Sequence, residues 1–598
     1  MTARYDNSRN SPLQAWVRAL AMTAPLARNP TFTLPILIDE LAERFENASA
    51  LIDEEGGLSY RALAERSNRY ARWALEHMAG AGSVVCLMMA NCPDYLAIWL
   101  GITRAGGVVA LLNTQLFGDS LAHAIRVVAP NHVIVGVEFA PALAGIRSRL
   151  APEIRYWAHG ASHGELPRID AALEGVSGAS LTSAQCPLPL STDRALYIYT
   201  SGTTGRPKAA NVSHYRVMQW SHWFAGMLDT RSSDRMYNCL PMYHSIGGVV
   251  AVGATLVNGG SVLLRRGFSV RHFWQEIAEF NCTLFQYIGE LCRFLLRAAE
   301  GAQQPEHQIR LCCGNGLRGD IWEPFKERLR IPAILEFYAA TEANFSLYNC
   351  EGKPGAIGRI PSFLAHRFPV ALVRFDAEAG VPLRNAAGFC ERCSTDEVGE
   401  AISKIATDAL EAGGRFEGYT DKAATDLKVL REVFTAGDAW FRSGDLMRRD
   451  AAGFFYFVDR VGDTFRWKGE NVSTSEVADV INRCPGVVEA IVYGVTVAGA
   501  EGRAGMAALV CDADFDIQHF EQHIAGSLPE YARPVFLRVL NSIGMTATFK
   551  PQKQELVRAG FDCSMTADAL FVKDKPSGIF LKIDAAMAAR IESHEMRL

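Results

Sequence analysis

The run Tyr199-Thr200-Ser201-Gly202-Thr203-Thr204-Gly205-Arg206-Pro207-Lys208 constrains this chain more than any other stretch. It follows Ala195-Leu196-Tyr197-Ile198-Tyr199, an alternating apolar segment that reads as a strand. Gly202 and Gly205 let backbone N–H groups turn toward a common point, which side chains would obstruct. Thr200, Ser201, Thr203 and Thr204 add hydroxyl donors, and Lys208 adds a point charge, so the run reads as a cradle for phosphate oxygens. The GxxxxGK[ST] pattern of a Walker A loop is absent. Pro207 also argues against a loop that passes straight into a helix.

At 598 residues the chain is too long for one core, so two or more domains are expected. Apolar residues make up 49% and charged residues 21%, an ordinary soluble globular composition. A net charge of -5 excludes the basic footprint of a nucleic-acid binder. The 14 cysteines are scattered from Cys86 to Cys563 without regular spacing and read as reduced, buried cytosolic thiols. Cys390-x-x-Cys393 has no second pair nearby and reads as a loop feature, not a zinc site. No apolar signal-peptide core precedes Arg18. The longest uncharged stretch, Ser245 to Leu264, is broken by Gly247-Gly248 and Asn258-Gly259-Gly260. It reads as α/β core with turns at those glycines, not as a transmembrane helix. A cytoplasmic location is expected, with a peripheral membrane contact left open. Oligomeric state is not legible.

Residues 1–35 look like a loosely packed lead-in. Leu58-Ser59-Tyr60-Arg61-Ala62-Leu63 then opens a helical pattern through Ser67, Tyr70 and Trp73. Val84 to Met89 reads as a buried strand, Asp94 to Arg104 as a helix, and Val108 to Leu112 as the next strand. That β-α-β order suggests a doubly wound sheet. Residues 150–192 are poor in pattern and read as a surface connection to the phosphate run. Tyr243-His244 before Gly247-Gly248 is either a core turn with a satisfied histidine or a contact near bound phosphate. Gly314-Asn315-Gly316 lies between a strand and a helix. Glu336-Phe337-Tyr338-Ala339-Ala340-Thr341-Glu342 presents a flat aromatic face, a hydroxyl and a carboxylate. Trp440 to Leu446 carries Asp445, and Gly453 to Arg460 carries Arg460, with strand-core aromatics between them.

These motifs, in this order, resemble the adenylate-forming superfamily of acyl-CoA synthetases, luciferases and peptide adenylation domains. The resemblance implies an α/β fold. A large multi-layer adenylation domain, parallel sheets with helices plus a β-subdomain, would span 1–459. A hinge at 460–463 would lead to a small mobile α+β domain over 464–598, with Gly462 as the pivot. ATP would be bound by Thr200 to Gly205, Lys208, Gly314, Asn315, Gly316, Tyr338 and Thr341, with Asp445 and Arg460 on its ribose. Glu342 and Thr204 would hold Mg²⁺. His244 becomes a contact beside the acyl pocket and phosphates. Lys550, in Thr548-Phe549-Lys550-Pro551-Gln552-Lys553, stands where the family has its catalytic lysine, with Lys553 the nearby alternative. Lys468 and Gly469 would line the CoA side.

Phe285-Gln286-Tyr287-Ile288-Gly289-Glu290-Leu291-Cys292-Arg293, the 462–474 run and Glu501 to Ala507 are similar to the fatty acid transport protein/very-long-chain acyl-CoA synthetase family. This implies activation of a long- or very-long-chain fatty acid to its CoA thioester, with ATP and CoA as cosubstrates and Mg²⁺ as cofactor. Eukaryotic members carry a membrane segment near the N-terminus, and none is read here. Three alternatives stand beside it: a fatty acyl-AMP ligase, a ligase for a bile-acid-like or other carboxylate, and a non-enzymatic lipid carrier. Chain length, branching and a role in uptake are not legible.

Overall fold

The computed structural model describes residues 11–161, 164–201, 207–298, 306–376, 379–406, 415–467, 470–497, 502–544, 552–593 and 595–596. The chain divides into two compact units, 1–359 with 405–428, and 360–404 with 429–598.

The first unit is built on two sheets. In one, Arg155–His159, His132–Gly136, Val84–Met88, Val108–Leu111 and Arg194–Ser201 run parallel in that spatial order, and Pro207–Ser213 closes the edge antiparallel. Val84–Met88 is buried throughout, as a central parallel strand covered on both faces must be. The helix Pro93–Arg104 starts with Pro93 and Asp94 in its first turn. It ends where Gly106 takes φ +81 and Gly107 donates back to the Ile102 carbonyl. The second sheet has eight strands, parallel in its middle, with an antiparallel strand at each edge.

Three expectations are corrected here. Residues 11–35 of that lead-in are not loose: Pro12–Thr23 is a helix packed on His214–Leu228. Trp16 is 1% exposed and meets Trp223 and Tyr348 edge-on at 5.7 and 5.6 Å. A Cβ on Gly226 would lie 2.5 Å from Ala19 Cα, so that glycine is what admits the helix. Second, the 150–192 stretch contains the edge strand Arg155–His159 and is tied down further along. The buried Arg104 guanidinium donates to the carbonyls of Leu181, Cys186 and Pro187. Third, Gly247-Gly248 is no turn but part of a wide helical turn, Ile246–Val250, continuing as Ala251–Leu256. A Cβ on Gly248 would sit 1.9 Å from the Met242 carbonyl oxygen, so close backbone approach selects glycine there. The stretch is nonetheless core, as read. Among the described residues no helix is long and apolar enough to cross a membrane. All 14 cysteines are free thiols.

The second unit contains an antiparallel sheet centred on Gly399–Lys404 and Ala439–Arg449, with Phe455–Arg460 paired to the latter. It also contains a five-stranded sheet, Val487–Val495, Ala504–Cys511, Phe536–Leu540, Ala569–Asp574 and Ile579–Lys582. That sheet has its own core, from Phe465 to Ile591, with the helices Thr474–Ile481 and Ile517–Ser527 against it. The molecule thus joins a large α/β part with parallel sheets to a smaller C-terminal part of sheet and helices.

One buried carboxyl shapes the Gly314–Leu317 turn. Glu336, 2% exposed on the strand Ile334–Ala339, accepts the N–H groups of Gly316 at 2.5 Å and Leu317 at 3.2 Å. Its other oxygen lies 2.5 Å from the Tyr287 hydroxyl. Burial pushes this carboxyl up to about 8.

Two stability predictions follow from these cores. Trp16→Ala should cost about 3–5 kcal/mol and lower the melting temperature; an unchanged melting temperature would detach the N-terminal helix from the core. Glu336 keeps its proton in the folded chain to pH about 8 but, unfolded, only to about 4.5. Its contribution is therefore complete below pH 4.5 and is lost as the pH rises toward 8. In Glu336→Gln the amide donates to Tyr287 and its oxygen accepts from the loop. The variant should melt progressively higher relative to wild type as pH rises over that interval. A difference that does not change with pH would refute the buried, protonated carboxyl.

Candidate active site

The phosphate run is a hairpin. Arg194–Ser201 delivers Thr200, and Pro207–Ser213 returns with Lys208 directly opposite it in register. Gly202, Thr203, Thr204 and Gly205 lie outside the described residues, as does the side chain of Ser201. What stands in the structure are the two anchors from which they hang.

A segment remote in sequence lies along the returning strand. Asn211 N–H donates to the Gly418 carbonyl at 2.9 Å, and Thr420 N–H to that of Ala209 at 3.0 Å. Glu417 accepts both the N–H and the hydroxyl of Ser213, at 2.7 and 2.6 Å. This pairing sets Tyr419 beside the hairpin. Its hydroxyl donates to Glu342 Oε1 at 2.8 Å, and Lys208 Nζ lies 5.9 Å from its ring centroid. Lys428 Nζ is 3.8 Å from the same Glu342 oxygen. Burial first, and then Glu342, push the Tyr419 phenol far above its ordinary range, against a hydrogen bond with Thr200. Tyr419 is therefore a fixed hydroxyl donor at any working pH.

Glu342 and Thr341 follow directly on the strand Ile334–Ala339. Thr341 Oγ1 and Ser245 Oγ are 3.0 Å apart, which brings the 244–248 turn against the 338–342 turn. His244 is half-buried, its ring 4.6 Å from that of Tyr243. Tyr338 is half-buried and faces Phe345 at 5.6 Å. Gly314 and Asn315 end the parallel strand Leu311–Asn315, and Gly316 turns away with φ +84. Thr200, Gly314 to Gly316 and Tyr338 to Glu342 thus all sit at carboxyl ends of parallel strands, where open α/β sheets bind ligands. Arg216, buried, donates to the Ala343 carbonyl directly after Glu342. Burial pulls its pKa down, while Glu417 and Glu342 oppose that pull.

In the second unit, Asp445 and Arg460 are cross-strand partners, with Arg460 Nε 3.5 Å from Asp445 Oδ1. Asp445 is buried, while the Arg460 side chain is half exposed. Gly462 takes φ +95 with open space around its Cβ position, and Asp463 N–H closes the turn onto the Arg460 carbonyl at 3.0 Å. Lys553 Nζ reaches Asp463 at 3.3 Å and donates to the Thr474 hydroxyl at 3.2 Å. Lys468, Gly469 and Lys550 lie outside the described residues.

Sequence reading missed Tyr419, Lys428, Arg216 and Glu336. Glu336 had a signal, a carboxylate amid the apolar strand residues of its motif. Tyr419 had none, since a lone Gly-Tyr pair belongs to no spacing until the 209–211 pairing is seen.

Residues 38–373 match the AMP-binding enzyme family, and residues 476–550 match the AMP-binding enzyme C-terminal domain. Long-chain fatty acid transport protein 1 of Mus musculus is 40% identical over 569 residues, 94% of this chain and 87% of that protein. Long-chain fatty acid transport protein 2 of Rattus norvegicus is 37% identical, covering 92% of this chain and 88% of its own. The crystal structure of the anthranilate CoA ligase AuaEII with anthranoyl-AMP superposes with a TM-score of 0.76 at 20% identity, over 89% of this chain and 98% of that one. ATP-bound MatB from Rhodopseudomonas palustris gives 0.73 at 22% identity, over 88% and 99%. At such identities the structures speak for the fold. With a family match over more than half its length and relatives this similar along nearly all of it, the chain belongs to the AMP-binding enzyme family, in the branch of the long-chain fatty acid transport proteins.

Proposed function

We propose that the protein activates long- or very-long-chain fatty acids, joining fatty acid and CoA with release of AMP and pyrophosphate from ATP. The observation that carries this reading is the cluster of Lys208, Thr200, Tyr419 and Glu342 at the strand ends of the first unit. A carrier needs no cation and metal-type carboxylate held together by a buried phenol. The likeness to long-chain fatty acid transport proteins supports the acyl class.

In the first half-reaction a carboxylate oxygen of the fatty acid attacks the α-phosphorus of ATP. The new O–P bond forms as the bond to the β-phosphate oxygen breaks, and pyrophosphate leaves. Carboxylate and phosphates repel each other, so positive charge must be in place before they meet. Lys208 and Lys550 supply it from side chains, and the 202–205 backbone would supply it from N–H groups. Tyr338 would stack on adenine, Thr341 would bond the α-phosphate, and Asp445 with Arg460 would hold the ribose. The donor set fits Mg²⁺: a carboxylate at Glu342, which Tyr419 engages through one oxygen, and the Thr204 hydroxyl of the phosphate run. Bound there, Mg²⁺ would neutralise charge on the phosphates.

In the second half-reaction the CoA thiolate attacks the acyl carbonyl carbon, the acyl–phosphate bond breaks, and AMP leaves. We assign 460–463 as the hinge between 1–459 and 464–598. Rotation at Gly462 would withdraw Lys550 and bring Lys468 and Gly469 toward the pantetheine. Acids of this length partition into bilayers, so a peripheral membrane contact and coupling to uptake belong to the same reading.

The deciding experiment measures AMP formation from ATP with medium-, long- and very-long-chain acids, with and without CoA. CoA-dependent turnover that peaks at the longer chains is expected. Pyrophosphate release indifferent to CoA would identify an acyl-adenylate ligase, and no turnover with any acid would overturn the proposal. Lys550→Ala should abolish adenylation and spare thioester formation from supplied acyl-adenylate. Equal loss of both halves would refute the exchange of Lys550 for the Lys468 segment.

A further inference from the structure

Glu400 is fully buried on the strand Gly399–Lys404, where Arg442 pairs with it. Arg442 Nε lies 3.1 Å from each of its oxygens, and Arg442 Nη2 donates to Oε2 at 2.8 Å. Glu400 Oε1 also accepts the Gly444 N–H at 3.3 Å. Such a forked pair costs much of its Coulomb gain in desolvation, and an apolar pair of similar volume would serve stability as well. Its contacts fall on an irregularity of the sheet.

Glu400 is opposite Leu446 and Ile402 is opposite Arg442, so Ser443, Gly444 and Asp445 together face Ala401. Gly444 takes φ +77 to let the chain bulge. The Ser443 hydroxyl donates to the Ala401 carbonyl at 2.7 Å and accepts the Asp445 N–H at 3.0 Å. Val461 N–H donates to the Gly444 carbonyl at 2.8 Å. Every contact named braces the bulge, and what the bulge delivers is the Asp445 carboxylate, opposite Arg460. A bulge re-aims one side chain relative to a regular strand, and here that side chain is Asp445.

We propose that Glu400 is a positioning residue which, through Arg442 and Gly444, fixes the Ser443–Asp445 bulge and thereby aims Asp445 at the hydroxyls of a nucleotide ribose. The proposal rests on the reading of Asp445 as the ribose ligand. It locates discrimination of the ribose hydroxyls in a buried residue that touches no nucleotide.

The test compares equilibrium binding of ATP and of dideoxy-ATP, which lacks both ribose hydroxyls, to the full chain. Wild type should favour ATP, and Asp445→Ala should abolish that preference. Glu400→Gln should weaken ATP binding about tenfold or more while leaving dideoxy-ATP affinity unchanged, so the ratio collapses. Loss of fold alone would lower both affinities together. Should Glu400→Gln not fold, Ser443→Ala removes a second brace and should lower the same ratio. A wild-type ratio in Glu400→Gln, or in Ser443→Ala where that variant stands in, overturns the positioning role. No preference in wild type, or one that survives Asp445→Ala, overturns instead the ribose reading on which the proposal stands.

Discussion

The hydrogen bond from Tyr419 to Glu342 joins three stretches that the chain keeps far apart. The 200–208 hairpin supplies a cation, the 338–342 turn supplies a carboxylate, and the 415–420 segment supplies the phenol between them. None is held to the others by its own strand alone. The 415–420 segment is docked by backbone bonds to Ala209 and Asn211 and by Glu417 on Ser213. Because Tyr419 is buried beside a carboxylate, its proton is locked on and its hydroxyl can only donate to Glu342. That fixes one carboxylate oxygen, the same oxygen that Lys428 Nζ approaches at 3.8 Å. Lys208 is thus held across the Tyr419 ring from Glu342, whose carboxylate is paired with Lys428.

The two units share a device, the use of a buried acid to clamp backbone. Glu336 clamps the N–H groups of Gly316 and Leu317. Glu400 clamps Gly444 while forked to Arg442. Asp459, 2% exposed, accepts the N–H groups of Arg460 at 2.9 Å and Thr474 at 2.6 Å. A carboxyl group offers about four acceptor directions when ionised, and one donor with the remaining acceptors when protonated. It can therefore hold a turn that has no regular hydrogen-bond ladder. The cost is desolvation, visible in the upward shifts of Glu336 and Asp459. Each clamp lies under or next to a residue read as nucleotide-binding: Gly316, Asp445 or Arg460.

What the sequence made legible follows from period and burial. Val84–Met88 and Val108–Leu111 read correctly because central parallel strands are apolar on both faces. Arg155–His159 escaped notice because an edge strand tolerates Arg155 and His159. The Pro12–Thr23 helix escaped because its seat is a glycine, Gly226, more than two hundred residues away. Thr200, Lys208, Tyr338, Thr341, Glu342, Asp445 and Arg460 could be singled out as candidates because each sits in a dense local motif, and the structure sets Thr200 and Lys208 opposite each other and Asp445 opposite Arg460. Tyr419 and Arg216 were not, because a single residue that acts through a long-range pairing leaves no local pattern.

The hinge proposed at 460–463 would need restraint as well as freedom. Gly462, at φ +95 with space around it, gives the backbone its freedom. On either side the chain is pinned, Asp463 by Lys553 and Thr474 by both Lys553 and Asp459. Asp459 precedes the turn and Thr474 follows it, so their bonds span the proposed pivot. The proposed rotation at Gly462 would have to release them, at about 1–3 kcal/mol for each buried group left without its partner. Release would also hydrate the Asp459 carboxyl, whose raised pKa marks how much its burial costs. On the proposed rotation, loss of bonds and gain of hydration would oppose each other, and that opposition would bring the two arrangements closer in energy.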